Sequence, residues 1–271
     1  MSETTLVRVL RRDRALVLAA IAVVTALAWA YVAWLAWDMD MGGMDMSGFR
    51  MIPSGLGWMM PAEAPWGAFE FALVFLMWTL MMVGMMTPSV APMLLLHAQV
   101  GRQALAQGQP FAATGWFAAG YLLAWTAFAL VAATAQWALE RLALLTPLMQ
   151  SASGTLAGLM LIAAGLYQFS PLKDRCLTAC QAPLVFLQRH GGFRRDVRGA
   201  LVLGVKHGAY CIGCCWALMA VLFVGGVMNL LWIAALAIFV LLEKLVTGRP
   251  LSRLAGVGLT AWGLLLLLRA M

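Results

Sequence analysis

The chain has 271 residues, of which 63% are hydrophobic and only 11% are charged, whereas ordinary soluble domains are about 45–50% apolar and about 25% charged. A water-soluble fold of this length could not bury so much apolar surface, which excludes a soluble enzyme and indicates that lipid surrounds most of the chain. The net charge of +7 does not indicate nucleic-acid binding, because the basic residues form short runs between apolar stretches, as in membrane proteins.

Apolar segments of about 20 residues predict seven membrane-spanning helices. The predicted spans are residues 15–37, 68–96, 113–137, 153–170, 199–224, 228–246 and 252–269. Several arginines precede the first span and the loop after it is mainly acidic, so the positive-inside rule places the N-terminus in the cytoplasm and the C-terminus outside. The predicted fold class is all-α, a polytopic transmembrane helical bundle of about seven spans, N-in/C-out.

The seven spans divide into two predicted domains. Residues 1–64 hold an anchor helix and a Met/Asp-rich outer loop, and residues 65–271 form a six-helix membrane domain resembling a metal-binding unit. The six later spans form two triplets that begin on opposite sides of the membrane, which permits a 3+3 inverted repeat after the first helix. Basic residues predicted on the cytoplasmic side include Lys173, in a loop at 171–198, and Lys244, in the last connection.

The outer loop that follows the first span alternates carboxylates and thioethers. Residues 38–46 read Asp-Met-Asp-Met-Gly-Gly-Met-Asp-Met. This stretch resembles the Met-rich loops with which extracytoplasmic copper proteins capture the metal. A disordered polar linker is the alternative interpretation.

The second span contains two methionine ridges. One ridge has the spacing Met77, Met81 and Met85, and the other contains Met82, Met86 and Met93. Thioethers are soft ligands that suit Cu(I) and need no deprotonation, which makes Met81 and Met85 candidate ligands. Methionine at helical spacing is also ordinary core packing. Pro88 and Pro92 remove backbone donors and predict a kink or an interruption of the helix.

A pair of cysteines marks the junction after the fourth span. Cys176 and Cys180 lie one helical turn apart, beside Lys173 and Arg175, whose positive charge should favour the thiolates. Two thiolates at a cytoplasmic mouth are able to receive a soft ion or to exchange disulfides. Two interfacial cysteines with no such role are the alternative.

The fifth span carries the densest set of candidate ligands. His207, Cys211 and Cys214 fall within an arc of roughly 60° on a helix, with Cys215 at its edge. Imidazole and thiolate are ligands for zinc, copper and iron–sulfur centres. The alternative is that cysteine acts as a small hydrophobic residue in a packed helix whose glycines form a groove. Ionisable groups at this depth are costly, which favours the functional interpretation.

These motifs, at residues 81–93, 167–180 and 207–216, resemble a bacterial family of predicted metal-binding integral membrane proteins, a domain of unknown function. The resemblance covers about residues 65–248 and implies a multi-pass protein of the bacterial inner (cytoplasmic) membrane. It implies no catalytic residues. The first span and the Met/Asp-rich loop lie outside its best-matching part.

The leading hypothesis is the handling of a soft transition metal, with copper favoured and zinc and haem as alternatives. The predicted metal ligands are Met81, Met85, Cys176, Cys180, His207, Cys211, Cys214 and Cys215. The expected partners are the lipid bilayer and a periplasmic metal chaperone or a membrane redox complex. The competing hypotheses are a membrane thiol–disulfide oxidoreductase and an accessory subunit of a redox complex. Catalysis is the less favoured class, because no nucleotide-binding or hydrolase motif occurs in the sequence.

Overall fold

The computed structural model describes residues 3–39, 48–61, 64–146 and 149–270, with side chains from residue 14 onward. The described chain is almost entirely helical, which confirms the all-α class, with one small addition of two strands. In chain order, the elements are α1 (Glu3–Asp38), β1 (Phe49–Met51), β2 (Met59–Pro61), α2 (Ala68–Met86), α3 (Ala91–Ala106), α4 (Thr114–Arg141), α5 (Gly154–Tyr167), α6 (Pro171–Gln181), α7 (Pro183–Arg189), α8 (Val197–Ala220), α9 (Leu222–Gly225), α10 (Leu230–Leu245) and α11 (Pro250–Ala270).

Five helical segments are long and apolar enough to cross a membrane: α1 from Arg14, α2, α4, α8 continued through α9, and α11. The α5 and α6 helices pass the same criterion only as a pair bent by 65°, which raises the number to six. The α10 helix has 16 residues and is about 24 Å long, short of a hydrocarbon core of about 30 Å. The predicted count of seven is therefore not confirmed, and the N-in/C-out topology and inverted repeat stay predictions.

The helix that contains the methionine ridges breaks where the prolines predict. The α2 helix ends at Met86, a 3-10 turn follows over Pro88–Val90, and α3 begins at Ala91. Proline has no backbone N–H, so the carbonyl one turn earlier loses its usual donor. For Pro88 this carbonyl is that of Gly84, which accepts from the Trp29 indole N–H at 3.3 Å. At the end of α2, the Met86 carbonyl accepts hydrogen bonds from the Ser89 hydroxyl at 2.8 Å and the Tyr121 hydroxyl at 3.0 Å. The break thus places a hydrogen-bonded cluster of polar groups among the packed helices.

The predicted cytoplasmic loop at 171–198 instead contains two helices, α6 and α7. The Ser170 hydroxyl caps α6 by accepting from the backbone N–H of Leu172 at 3.1 Å. Lys173, in the first turn, is fully buried and lies 2.6 Å from Glu243 of α10. A second oxygen contact to the same carboxylate comes from Ser252 of α11, which donates at 2.7 Å. A charge that the sequence assigns to a solvated loop is therefore an internal ion pair.

Glycines let α4 and α8 pack backbone against backbone. A Cβ atom on Gly204 would lie 2.1 Å from the carbonyl oxygen of Phe117, and one on Gly120 would lie 2.0 Å from the carbonyl oxygen of Leu201. Such distances are far inside van der Waals contact, so only glycine fits at either position. This close approach brings Tyr121 of α4 against Cys211 of α8, where the two side chains are 3.1 Å apart.

We expect Gly204→Ala to destabilise the protein by about 1–3 kcal/mol, the usual cost of overpacking, because the new methyl group meets rigid backbone. The matched control is Gly115→Ala, in the partner helix α4, where a Cβ meets no atom within 4 Å. Thermal unfolding of both variants in detergent provides the measurement. Equal midpoints for Gly204→Ala and Gly115→Ala would show that the two helices do not depend on this contact.

A two-stranded hairpin rests on the start of α2. The Arg50 guanidinium forms two hydrogen bonds to the Glu70 carboxylate, at 2.6 and 2.8 Å, and this carboxylate raises the pKa of Arg50. Most of the predicted Met/Asp-rich loop, residues 40–46, lies outside the described residues. Of its first two residues, Asp38 accepts from the backbone N–H of Gly57 at 3.0 Å, and Met39 is buried.

Candidate metal-binding site

Three cysteines of α8 lie in the protein core. Cys211, Cys214 and Cys215 are each at most 2% exposed. The thiols of Cys214 and Cys215 both donate to the backbone carbonyl of Cys211 at 3.0 Å. Their spacing on one helix therefore places two sulfurs at the carbonyl group of the third cysteine.

A fourth thiol lies near this group on α6. The side chain of Cys180 is close enough to those of Cys211 and Cys214 to interact with them electrostatically. Cys176, one turn earlier, packs against Gly213, and a Cβ on that glycine would lie 2.6 Å from the Cys176 sulfur. All five cysteines are free thiols. The two groups of cysteines that the sequence assigns to separate sites thus lie close together, where α6 packs on α8.

Lys244 is the charged group at this place, although the sequence predicts it to lie in a cytoplasmic connection. It lies in the last turn of α10 and is 6% exposed. Its ammonium group is 2.9 Å from the sulfur of Cys211, 3.1 Å from the hydroxyl of Ser89 and 3.8 Å from the sulfur of Met86. Within the described part of the chain it has no carboxylate partner, because the neighbouring Glu243 pairs with Lys173.

Tyr121 joins three helices at the same point. Its hydroxyl group lies 3.1 Å from the sulfur of Cys211 and 3.3 Å from the hydroxyl of Ser89, and it donates to the carbonyl of Met86 at 3.0 Å. Neither Tyr121 nor Ser89 is among the site residues that the sequence predicts. A tyrosine in an apolar helix gives little signal, since its partners lie on helices distant in sequence.

The methionines of α2 are all buried, but they differ in what their side chains contact. Met86, on the second ridge, is the methionine whose sulfur contacts Lys244. Met85 instead lines a cavity of about 350 Å³ with Trp29 of α1 and residues of α10. Met81 is 1% exposed and belongs to the main hydrophobic core. The ridge with the candidate ligands Met81 and Met85 is thus not the one that supplies this contact.

His207 lies one helical turn before Cys211 and is 3% exposed. Its Nδ1 atom has no hydrogen-bond partner in the described residues. The imidazole packs against the rings of Phe117, Tyr121 and Phe186, with centroids 5.0 to 6.0 Å away. A buried ring nitrogen without a partner is uncommon, and a neutral imidazole nitrogen is a metal ligand.

A second buried imidazole, His97 of α3, was not selected from the sequence. Its ring packs against that of Phe117, with the two ring centroids 5.5 Å apart. Its Nδ1 atom lies 3.2 Å from the Thr114 hydroxyl. Burial lowers the pKa of His97 to about 4. The ring is therefore neutral near pH 7, and its Nε2 atom has no partner within the described chain.

The donor set is rich in soft sulfur, which is the ligand chemistry of Cu(I). As arranged, however, the described residues include no group of three or more His, Cys, Asp or Glu side chains positioned to hold a metal ion. Two of the thiols donate to a backbone carbonyl, and a third sulfur accepts from Lys244. Metal binding therefore requires thiol side chains to rotate and the ammonium group to move.

A family model described as a copper chaperone, PpoB2, matches residues 75–266, well over half of the chain. The matched region contains all the cysteines, the methionines from Met77 to Met228, His207 and Lys244. No curated protein and no solved structure matches the chain.

Proposed function

We propose, on the premise that the chain belongs to the copper chaperone family, that it is a membrane-embedded protein which binds Cu(I) between its helices and passes it to a partner. The family supports copper handling, and five to six apolar helices are consistent with a membrane location. The location in a bacterial inner membrane and the identity of the ligands are part of the proposal.

The observation that carries this proposal is the convergence of four thiols from two helices. Cys180 of α6 lies near Cys211 and Cys214 of α8, and the thiols of Cys214 and Cys215 both donate to the backbone carbonyl of Cys211. Cu(I) favours thiolate and thioether ligands at low coordination number, and a buried position excludes competing water. We assign Cys180, Cys211, Cys214 and Cys215 as the candidate ligands, with the Met86 thioether beside them.

The remaining predicted ligands receive supporting roles in the proposal. His207 is a candidate additional ligand, because its buried Nδ1 atom has no described partner. Cys176 lies next to the thiol group and is a candidate for the first or last contact with the ion. Met81 and Met85 lie further along α2, where Met85 borders a cavity. They are candidates for a route between the outer surface and the cysteines.

The role of a chaperone requires a partner that donates or accepts the ion. We propose a periplasmic metal chaperone or a membrane redox complex as that partner, since copper in redox complexes must be delivered without release into water. Binding and delivery need no catalytic residue, and none is assigned.

The test is titration of the detergent-purified chain with Cu(I), in competition with a chromogenic chelator and under anaerobic reducing conditions. We expect a bound copper ion that protects the cysteines from alkylation, because coordinated sulfur is not free to react. Zn(II) under the same conditions provides the comparison. A chain that retains no Cu(I), or whose five thiols react at the same rate with and without it, would contradict the proposal.

The proximity of Cys180 to Cys211 and Cys214 also favours a second candidate, a thiol–disulfide oxidoreductase. Neighbouring thiols form a disulfide when side-chain rotation brings their sulfurs into bonding distance, with two protons released and two electrons passed to a quinone or, one at a time, to a haem acceptor. Mass spectrometry of the oxidised protein distinguishes the candidates. A reversible disulfide between Cys180 and α8, together with no retention of Cu(I), would favour the redox function.

A further inference from the structure

Lys244 places a positive charge where the proposed site has its sulfur ligands. The ammonium group lies 2.9 Å from the Cys211 sulfur and 3.8 Å from the Met86 sulfur, and its third contact is the Ser89 hydroxyl at 3.1 Å. An ammonium ion has three donors, and these contacts use all three. Two of its three acceptors are soft ligand atoms, which a lysine engages only as weak acceptors but Cu(I) binds strongly.

Charge accounts for why lysine is tolerated at this depth. A buried ammonium group without a nearby anion is strongly disfavoured. Lys244 has no carboxylate partner among the described residues, and Glu243 is already paired with Lys173. Cys211 is therefore the group that can balance the charge of Lys244, as a thiolate.

We propose that Lys244 is a built-in competitor for copper, whose ammonium group holds Cys211 and Met86 until Cu(I) displaces it and whose return assists release of the ion. This inference rests on the proposed function. The exchange is a ligand substitution without electron transfer. The N–H···S contact from Lys244 breaks, a Cu–S bond to the Cys211 thiolate forms, and the ammonium group keeps its protons. One positive charge leaves and one arrives, so a monovalent ion preserves the charge balance of the core.

The position of Lys244 in α10 allows the movement that this exchange needs. The side chain is near the end of the helix, and residues 245–250 that follow it are all exposed. A lysine stem of four methylene groups can stay on apolar surface while its charged end reaches water. The ammonium group therefore has a route to solvent that does not require α10 to unfold.

The test is the variant Lys244→Leu, which keeps an apolar side chain and removes the charge without adding a sulfur that could itself bind Cu(I). Competition lowers apparent affinity in proportion to the fraction of molecules that are competent to bind. If the ammonium group occupies the sulfur in about nine molecules of ten, its removal raises Cu(I) affinity about tenfold. We also expect slower transfer of Cu(I) from the variant to an excess of chelator, because the internal displacing group is gone.

The matched control is Lys206→Leu, which removes an exposed charge from α8 one residue before His207. We expect its affinity and transfer rate to equal those of the wild type. Equal or weaker Cu(I) binding by Lys244→Leu would overturn the inference while leaving the proposed function intact, because a merely structural lysine predicts no gain. If the wild type itself binds no Cu(I), the proposed function fails, and the inference fails with it.

Discussion

Cys211→Ser is expected to lower Cu(I) affinity by about 100-fold or more, since a hydroxyl group is a hard ligand that does not replace a thiolate at Cu(I). Cys211 is central to the site: its sulfur lies 3.1 Å from the Tyr121 hydroxyl and 2.9 Å from the Lys244 ammonium group, and its carbonyl accepts from the thiols of Cys214 and Cys215. The measurement is competition with a chromogenic Cu(I) chelator, with the purified variant and wild type side by side.

The control for this variant is Ala217→Ser, which adds a hydroxyl group to a buried position of the same helix without removing a sulfur. We expect it to bind Cu(I) as the wild type does. If Cys211→Ser binds as tightly as Ala217→Ser, Cys211 is not a ligand. Circular dichroism of both variants separates a lost ligand from a lost fold.

The second large effect is expected from Glu243→Gln, which removes the anion of the buried pair with Lys173. Both side chains are at most 1% exposed, and removing one partner from such a pair typically costs about 3–5 kcal/mol because a buried charge is left unpaired. Ser252 also loses its charged acceptor. We expect a clearly lower unfolding midpoint in detergent.

The double variant Lys173→Met with Glu243→Met tests whether the cost arises from the unpaired charge. Replacing both members of a buried pair by apolar residues is often neutral or stabilising, so the double variant should be more stable than Glu243→Gln alone. A double variant that is less stable would show that packing around these side chains, and not charge, dominates. An unchanged midpoint for Glu243→Gln would exclude a contribution of the pair to stability.

The helical architecture follows from the sequence because lipid-like composition and apolar run length constrain a chain strongly. The interruption after Met86 is predictable as well, since Pro88 removes a backbone donor wherever it stands. The prediction of a loop at 171–198 is wrong, because basic residues such as those of this segment are typical of a solvated loop. Their charge does not indicate that Lys173 forms an ion pair with Glu243, 70 residues later in the chain. Pairing of this kind depends on which helices are neighbours.

The candidate site shows the same division between local and distant information. Helical periodicity alone places Cys211, Cys214 and Cys215 together, because all three belong to one helix. It does not show that Cys180 lies near them or that the Met86 sulfur contacts Lys244, since both depend on the packing of α6, α10 and the broken α2. The sequence predicts Lys244 to be a cytoplasmic loop charge, whereas its ammonium group contacts the Cys211 sulfur.

Copper K-edge X-ray absorption of the purified, Cu(I)-loaded chain tests the proposed site most directly, because it reports the atoms bound to the metal. We expect a first shell dominated by sulfur in the wild type, and the loss of bound copper in the combined Cys180, Cys211, Cys214 and Cys215 to Ser variant. A first shell of nitrogen and oxygen alone, or an unchanged spectrum in that variant, would contradict copper binding by these cysteines.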